Sequence, residues 1–233
     1  MSSQAQTSQN RASDKLSGVE LERKANEVVH FVLIWEQKKI PIKRADINKH
    51  VLKDHKSSFS DVIKVVAKKL EKVFGIKLVE IGEGAKKAYM LVNTLDHSET
   101  SDVMKWKDNS KRGLLFTILT LIFMSGNSIM DGALWHSLKR LGIEKDHSHS
   151  VFGDVKKLIT QEFSRQMYLD ISKVPNCDPP QYEYRWGQRA FHDIPKRKIL
   201  EFVTKLYDKS DIMVWKSQYQ DMIADEMNEQ QSG

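Results

Sequence analysis

Residues 61–92 read DVIKVVAKKLEKVFGIKLVEIGEGAKKAYMLV, and this stretch decides the fold. In residues 61–74 apolar side chains recur at intervals of three and four, which predicts an amphipathic helix that Gly75 ends. The face expected to turn inward consists of Ile63, Val66, Ala67, Leu70, Val73 and Phe74. Two β-like runs, Ile76–Ile81 and Ala88–Val92, follow with a glycine-containing turn between them, which predicts a β-hairpin.

The residues before this stretch supply two further helices. The first is predicted to begin at Val19 and to end before Pro41, because proline lacks the N–H that would continue it. A short helix over Lys43–Leu52 follows. Three helices and then a hairpin is the element order of a winged-helix domain, which we place at residues 18–93. Residues 1–17 lack periodic apolar positions and are predicted to be disordered.

The same order of elements recurs after a polar linker of mixed charge at residues 94–112. The predicted helices and strand are Leu114–Met124, Ile129–Leu141, Asp154–Met167, Tyr182–Trp186 and Pro195–Tyr207. The last helix is expected to bury Ile199, Leu200, Val203, Leu206 and Tyr207. We place the second domain at residues 113–208, followed by a C-terminal segment at 209–233 that ends in an acidic tail. The fold class is therefore mainly α with small β-hairpins, an α+β protein built from tandem winged-helix domains.

Composition and charge restrict the class of function. Lys and Arg number 37 against 31 Asp and Glu, and the last 17 residues hold four acids and no base. A basic body with an acidic tail suits an anionic partner. The single cysteine excludes an internal disulfide, and no run approaches the ~18 apolar residues of a membrane helix. We therefore expect a soluble intracellular protein that does not associate with membranes.

Residue patterns typical of catalysis or metal binding are missing from the sequence. The histidines His136, His147 and His149 have no cysteine or carboxylate constellation beside them, so polar loop positions explain them better than a metal site. Gly82-Glu83-Gly84 lacks the Lys-Ser/Thr pair and the following helix of a phosphate-binding loop. We therefore expect a protein that is not an enzyme, with no catalytic residue, no metal, no cofactor and no small-molecule substrate.

The stretch VFGDVKKLIT at residues 151–160 resembles a family signature. It is similar to the FGDPKKLIT motif of the MAGE homology domain, with Val155 in place of the usual proline. The pattern of that family continues through residues 168–169, 174–175, 178–179 and 182–187, and in the first half through 28–34 and 73–78. The resemblance covers about residues 19–208 and implies two winged-helix domains in a protein that acts through partners.

Within this family, QKKIPIKRADI at residues 37–47 most resembles the non-SMC element three subunits of the SMC-five/six complex. That resemblance implies a RING-type ubiquitin ligase subunit and a kleisin subunit as partners, in a nuclear, chromatin-associated DNA-repair assembly. Such a chain is expected to bind and stimulate the ligase and to bridge it to the kleisin and DNA. The family often contacts the RING subunit through a Leu-Leu pair, which Val32 and Leu33 match here.

The first helix carries more apolar surface than one core requires. Residues 28–35 are apolar on two adjoining stripes, whereas a surface helix needs one stripe about 100° wide. Its own domain could wrap both stripes, but docking on a partner is favoured. The expected RING-partner contacts are Phe31, Val32, Leu33 and Trp35.

Basic residues cluster at two places that winged helices use to contact DNA. Lysines recur every four residues on the third helix of the first unit, and a basic stretch follows the wing of the second. The predicted DNA-binding residues are Lys64, Lys68, Lys69, Lys72, Arg185, Arg189, Lys196, Arg197 and Lys198. A solvated face explains the lysines of the first unit equally well. The expected binding to double-stranded DNA is weak and independent of sequence, whereas the alternative, a winged-helix transcription regulator, would prefer one site strongly.

Overall fold

The structure, a computed structural model, describes residues 16–82, 84, 87–94 and 109–232. The chain divides into two compact units, residues 1–103 and 104–233, and both contain helices and one small antiparallel sheet. The predicted α+β class is therefore confirmed. Most of the predicted disordered segment 1–17 and of the linker 94–112 lies outside the described residues, so those domain boundaries stay predictions.

The first unit has the element order of a winged helix. Its elements are α1 (Gly18–Glu36), β1 (Ile42–Lys43), α2 (Arg44–Ile47), α3 (Phe59–Phe74), β2 (Ile76–Ile81) and β3 (Ala88–Asn93). A π-helical turn, Asn48–Leu52, and a 3-10 turn, Lys53–Ser58, join α2 to α3. The sheet order is β1-β3-β2, and all pairs are antiparallel. The predicted helices and hairpin are present, but β1 was missed because two residues are too few to show a strand pattern.

Local signals fix the ends of the two long helices of this unit. The Ser17 side chain accepts a hydrogen bond from the Glu20 amide at 3.3 Å and caps α1. Helix α3 ends where Gly75 takes the left-handed conformation at φ 61°. The core of the unit comprises Ala25, Val28, Val32, Ile42, Ile47, Val51, Leu52, Phe59, Val62, Val66, Leu70, Tyr89 and Leu91.

The inward face of α3 is rotated from the one predicted. Phe59, Val62, Val66 and Leu70 form the buried stripe, whereas Val73 and Phe74, predicted to be inward, are 71% and 42% exposed. Both candidate stripes are apolar and share the same helical spacing, so periodicity could not choose between them. Packing of α1 along the 59/62/66/70 stripe makes the choice, because Ala25, Val28 and Val32 lie in the same core cluster.

The second unit repeats this order and adds helices at its end. Its elements are α4 (Asn109–Met124), β4 (Ser128–Met130), α5 (Asp131–Arg140), α6 (Val155–Lys157), β5 (Leu169–Lys173), β6 (Tyr182–Trp186), α7 (Gln188–Asp193), α8 (Lys196–Leu206) and α9 (Lys216–Ser232). A π-helix, Leu158–Phe163, continues α6, and a 3-10 turn, Ile212–Val214, precedes α9. The sheet order is β4-β6-β5, antiparallel throughout.

The sequence analysis predicted α4, α5, the third helix and α8 of this unit, but it missed α7 and α9. Strand β4 was predicted as the start of the helix Ile129–Leu141, and β5 was not predicted; they are only three and five residues long. Asp154 caps the third helix, since its Oδ1 accepts a hydrogen bond from the Lys157 amide at 2.9 Å. Helix α4 begins at Asn109, so its first turn includes the last residues of the predicted linker.

The core of the second unit surrounds α4. Leu114, Leu115, Ile118, Leu119, Ile122 and Phe123 are all buried, as expected for a helix apolar on nearly every face. The indole of Trp186 donates to the Leu119 carbonyl at 2.9 Å and ties the wing to this helix. Leu206 and Tyr207, predicted to be inward on α8, are exposed instead, since the helix passes the edge of the core at its last turn.

A half-buried hydrogen-bond network on Asp131 joins α5 to the sheet. Asp131 Oδ1 accepts from the Tyr184 hydroxyl at 2.7 Å and the Trp135 indole at 3.0 Å, and Oδ2 pairs with Lys145 at 2.6 Å. Burial opposes ionisation, but these donors outweigh it and lower the pKa of Asp131. Burial and the same carboxylate raise the pKa of Tyr184.

Candidate partner- and DNA-binding surfaces

Val32 lies in the interior of the first unit and does not face a partner. Its exposure is 0%, and it packs in one cluster with Val28 and Val66. The prediction of Val32 as a RING contact is therefore wrong. The inward stripe of α1 contains residues 25, 28 and 32. Of the two residues that match the family's Leu-Leu pair, Val32 therefore lies in the core and Leu33 is half-buried.

The other predicted contacts form an aromatic cluster at the end of α1. The rings of Phe31 and Trp35 lie 5.4 Å apart, and Phe31 stacks on His50 of the π-helical turn at 5.9 Å. The ammonium of Lys38 lies 4.6 Å from the centroid of the Trp35 ring. Phe31, Leu33 and Trp35 are each half-buried, so their outer edges remain accessible.

Ile34 is the accessible apolar residue that the sequence analysis left out. It is 53% exposed and follows Asn26 and His30 along the outward stripe of α1, where an isoleucine has no core to fill. Because residues four apart share one face of a helix, its position four residues after the polar His30 was a sequence signal that Ile34 faces outward. We call Phe31, Leu33, Ile34 and Trp35 the α1 tip. The indole Nε1 of Trp35 is buried and finds no hydrogen-bond partner among the described residues.

Three of the four lysines predicted on α3 share an exposed face. Lys64, Lys68 and Lys72 are exposed, and none forms an ion pair with a described residue. We call these three residues the lysine face. Lys69 does not belong to it, because its ammonium pairs with Glu22 and also contacts Asn26 Oδ1 at 2.7 Å. Lys69 thus joins α3 to α1, and we leave it out of the lysine face for that reason.

The basic stretch predicted along the second wing is not an open surface. Arg189 is fully buried, its Nε donates to the Gln166 carbonyl at 3.0 Å, and its prediction as a DNA contact is wrong. Lys196 is buried beneath two carboxylates of α9, and the half-buried Arg197 pairs with a third. The sequence analysis did not connect the acidic tail with these cations, because a contact between residues 25 to 29 positions apart leaves no local pattern.

Arg185 and Lys198 remain exposed, although Arg185 pairs with Glu183 of its own strand at 2.7 Å. The third helix of the second unit also has a basic surface. Asp154 is used as the helix cap, and Glu162 lies 3.4 Å from Lys111. The exposed cations of this helix are Lys156, Lys157 and Arg165.

The histidines named in the sequence analysis have local partners in their loop. His149 Nδ1 accepts from the amides of Val151 and Phe152 at 3.2 and 3.4 Å, and His147 lies 2.9 Å from Glu144. Across the described parts of the chain, no group of three or more His, Cys, Asp or Glu residues could hold a metal ion. Within those same ranges, no helix is long and apolar enough to cross a membrane.

The chain is similar to known proteins over most of its length. The profile of the MAGE homology domain matches residues 28–197. A human protein named "Non-structural maintenance of chromosomes element 3 homolog" is 46% identical over 210 residues, which cover 90% of this chain and 68% of the human protein. Its mouse counterpart is 43% identical over 89% of this chain and 74% of its own length.

Other relatives and a solved structure match over a similar range. Human "Melanoma-associated antigen D2" is 41% identical over 86% of this chain, which spans only 33% of that protein. A chain of a solved "Nse1-Nse3-Nse4 complex" superposes with a TM-score of 0.81 at 47% identity, over 89% of this chain and 99% of that one. The family match, the sequence identity and the shared fold agree, and the chain belongs to the MAGE homology domain family.

Proposed function

We propose that this chain is a non-catalytic adaptor subunit of an SMC-five/six complex. In this role it binds and stimulates a RING-type ubiquitin ligase subunit and bridges it to a kleisin subunit and to DNA. The observation that carries the proposal is the 47% identity and 0.81 TM-score to a chain solved within a three-subunit complex. The name of the human relative supports a chromosomal role, so the proposed location is nuclear and chromatin-associated.

The α1 tip is the proposed contact for the RING subunit. It offers one exposed aliphatic residue, Ile34, beside the half-buried side chains of Leu33 and Trp35. An aromatic and aliphatic cluster of this kind, with a neighbouring cation at Lys38, has the composition of an interface hot spot. Full burial of an aliphatic side chain contributes ~1.5–3 kcal/mol, so one such residue can change the affinity by about a factor of ten or more.

A second apolar surface, in the second unit, is the proposed contact for the kleisin. Phe202 and Leu206 lie one turn apart on α8, and both are exposed, as is Met213 after the helix. The Phe202 ring meets Phe116 edge-on at 5.3 Å, which extends the surface onto α4. An exposed helical row of this kind accepts an amphipathic helix from a partner. We call Phe202, Leu206 and Met213 the α8 row.

The proposed DNA contacts are the exposed cations in each unit. In the first unit they are the lysine face, and in the second they are Arg185 and Lys198. Such contacts reach phosphates and carry no base information, so we expect weak binding that does not depend on sequence. A transcription regulator would instead prefer one site by several orders of magnitude, and a binding competition with random duplex separates the two functions.

Affinity purification from nuclear extract, with mass spectrometry of the bound proteins, tests the two partner surfaces. Ile34→Asp should lose the RING subunit and keep the kleisin, whereas Leu206→Asp should do the reverse. Each has a matched control: Val19→Asp changes an exposed residue of the same helix, and Leu141→Asp an exposed leucine of the second unit. The controls should keep both partners. Retention of both partners by folded Ile34→Asp and Leu206→Asp variants would refute the assignment of these surfaces.

A further inference from the structure

Helix α8 begins with three consecutive cations, an arrangement that its dipole disfavours. Lys196, Arg197 and Lys198 occupy its first turn, where the partial positive charge of the exposed N–H groups favours acids. The residue before them, Pro195, makes no side-chain cap. The compensation comes from α9, whose carboxylates lie against this turn.

The first two cations are held by three carboxylates of α9. The ammonium of Lys196 lies 2.5 Å from Asp221 Oδ2 and 2.8 Å from Asp225 Oδ2. Arg197 forms a two-point pair with Glu226, at 2.9 Å from Nε and 2.8 Å from the terminal nitrogen. Lys198 is exposed to solvent.

Lys196 is the most enclosed of these cations, at 8% exposure. Besides the two carboxylates, its ammonium lies 5.2, 5.5 and 5.8 Å from the ring centroids of Phe123, Phe191 and Trp186. A small cavity of about 110 Å³ opens beside it, lined by Phe191, Met222 and Glu226 among others. The cation is thus covered by α9 on one side and supported by aromatic rings on the other.

The attachment of α9 depends on charge more than on apolar burial. Among the residues of α9 whose side chains are described, Met222 alone is buried, with Tyr219 and Ile223 partly so. Two weaker polar contacts also hold α9. The Asn127 side-chain amide donates to Asp221 Oδ2 at 3.1 Å, and the Gln218 side-chain amide donates to the Met124 carbonyl at 3.2 Å. Ion pairs at a partly exposed contact weaken with salt and exchange with other anions.

We propose that α9 is an autoinhibitory strap, whose carboxylates take the place of phosphate on Lys196 and Arg197. This inference rests on the proposed contact with DNA. When a phosphate backbone approaches Lys198, its oxygens compete with Asp221, Asp225 and Glu226 for the two neighbouring cations. Displacement of the helix would then complete a row of three cations at the start of α8, and it would move acidic charge away from the bound strand.

The test compares a variant that releases the cations with a control of equal charge. Asp221→Asn/Asp225→Asn/Glu226→Gln removes the three competing carboxylates and keeps Met222 as the anchor of α9. The control, Asp54→Asn/Asp178→Asn/Asp208→Asn, changes three exposed acids outside α9. The first variant should bind duplex DNA about tenfold more tightly than the control at low salt, since hydrogen bonds to charged groups give that order of gain. Its salt dependence should steepen by about 1.8 log units per log unit, for two added phosphates.

Hydrogen exchange gives the second measurement, on the wild-type chain. The amides of α9 should exchange faster when duplex DNA is added, because the strap is displaced. If the two variants bind duplex DNA with equal affinity and the first melts at a lower temperature, the strap is overturned and α9 only stabilises the fold. If wild-type DNA binding is normal in that case, the proposed function stands without the strap. If no variant binds DNA at all, the DNA contact and the strap both fail, but the partner surfaces are unaffected.

Discussion

The lysine face of α3 should account for a measurable share of DNA affinity. Lys64, Lys68 and Lys72 follow one another at one-turn intervals, all are exposed, and none forms an ion pair with a described residue. Like charges at this spacing destabilise a helix mildly, so the fold does not require them. The triple change Lys64→Glu/Lys68→Glu/Lys72→Glu therefore removes three candidate phosphate contacts and should leave the thermal melt nearly unchanged.

The expected magnitude follows from counterion release. Each neutralised phosphate contributes about 0.9 to the slope of log affinity against log salt, so three lost contacts should flatten it by about 2.7. Between 50 and 200 mM salt, a slope of that size corresponds to roughly a 40-fold change in affinity. The loss should be the same on every duplex sequence, because phosphates carry no base information.

Fluorescence anisotropy with a labelled duplex, titrated at several salt concentrations, measures this slope. The matched control is Lys49→Glu/Lys139→Glu/Lys209→Glu, which makes the same change in net charge at exposed lysines elsewhere. The control should lose far less affinity than the lysine-face variant. If both variants lose affinity equally, only overall charge matters, and the reasoning that assigns contacts to this face is refuted.

Three further predictions concern stability. Asp131→Asn should lower the free energy of unfolding by about 1.5–3 kcal/mol at pH 7. Because the pKa of Asp131 is lowered in the folded state, the difference between wild type and variant should shrink as the pH falls below about 4, and a difference that stays constant in urea melts would contradict this. Gly187→Ala should destabilise the second unit, since a Cβ there would lie 2.2 Å from the Met167 carbonyl oxygen, and an unchanged melting temperature would show that the wing tolerates the contact. Val32→Ala should cost about 2 kcal/mol of stability and Ile34→Ala almost none, so equal losses in chemical denaturation would argue against the orientation of α1.

Local patterns in the sequence predicted most of the elements. The helix predicted at 61–74 and observed at Phe59–Phe74, its glycine stop and the following hairpin depend on neighbouring residues, and all are present. The helix predicted at Leu114–Met124 is also present, as α4, and it lies at the centre of the second unit because no other location covers an all-round apolar surface. The short strands β1, β4 and β5 were missed because each is stabilised by pairing with a partner distant in sequence.

The candidate sites were harder to predict, because exposure depends on tertiary packing. Nothing local distinguishes Val32, which faces the core, from Ile34, which faces solvent, until α3 selects one stripe of α1. Likewise Lys196 belongs to a basic run in the sequence, yet α9 folds back over it. Sequence reasoning thus found the lysine face, which lies within one helix, and misassigned cations whose partners lie elsewhere in the chain.

Assembly from purified components tests the adaptor role most directly. The chain is mixed with a RING-type ligase subunit and a kleisin subunit of the SMC-five/six complex at micromolar concentration, and the mass is measured by light scattering during size-exclusion chromatography. The account predicts one peak whose mass is the sum of the three chains, and Ile34→Asp should release only the RING subunit from it. Separate elution of this chain from both partners would contradict the adaptor role.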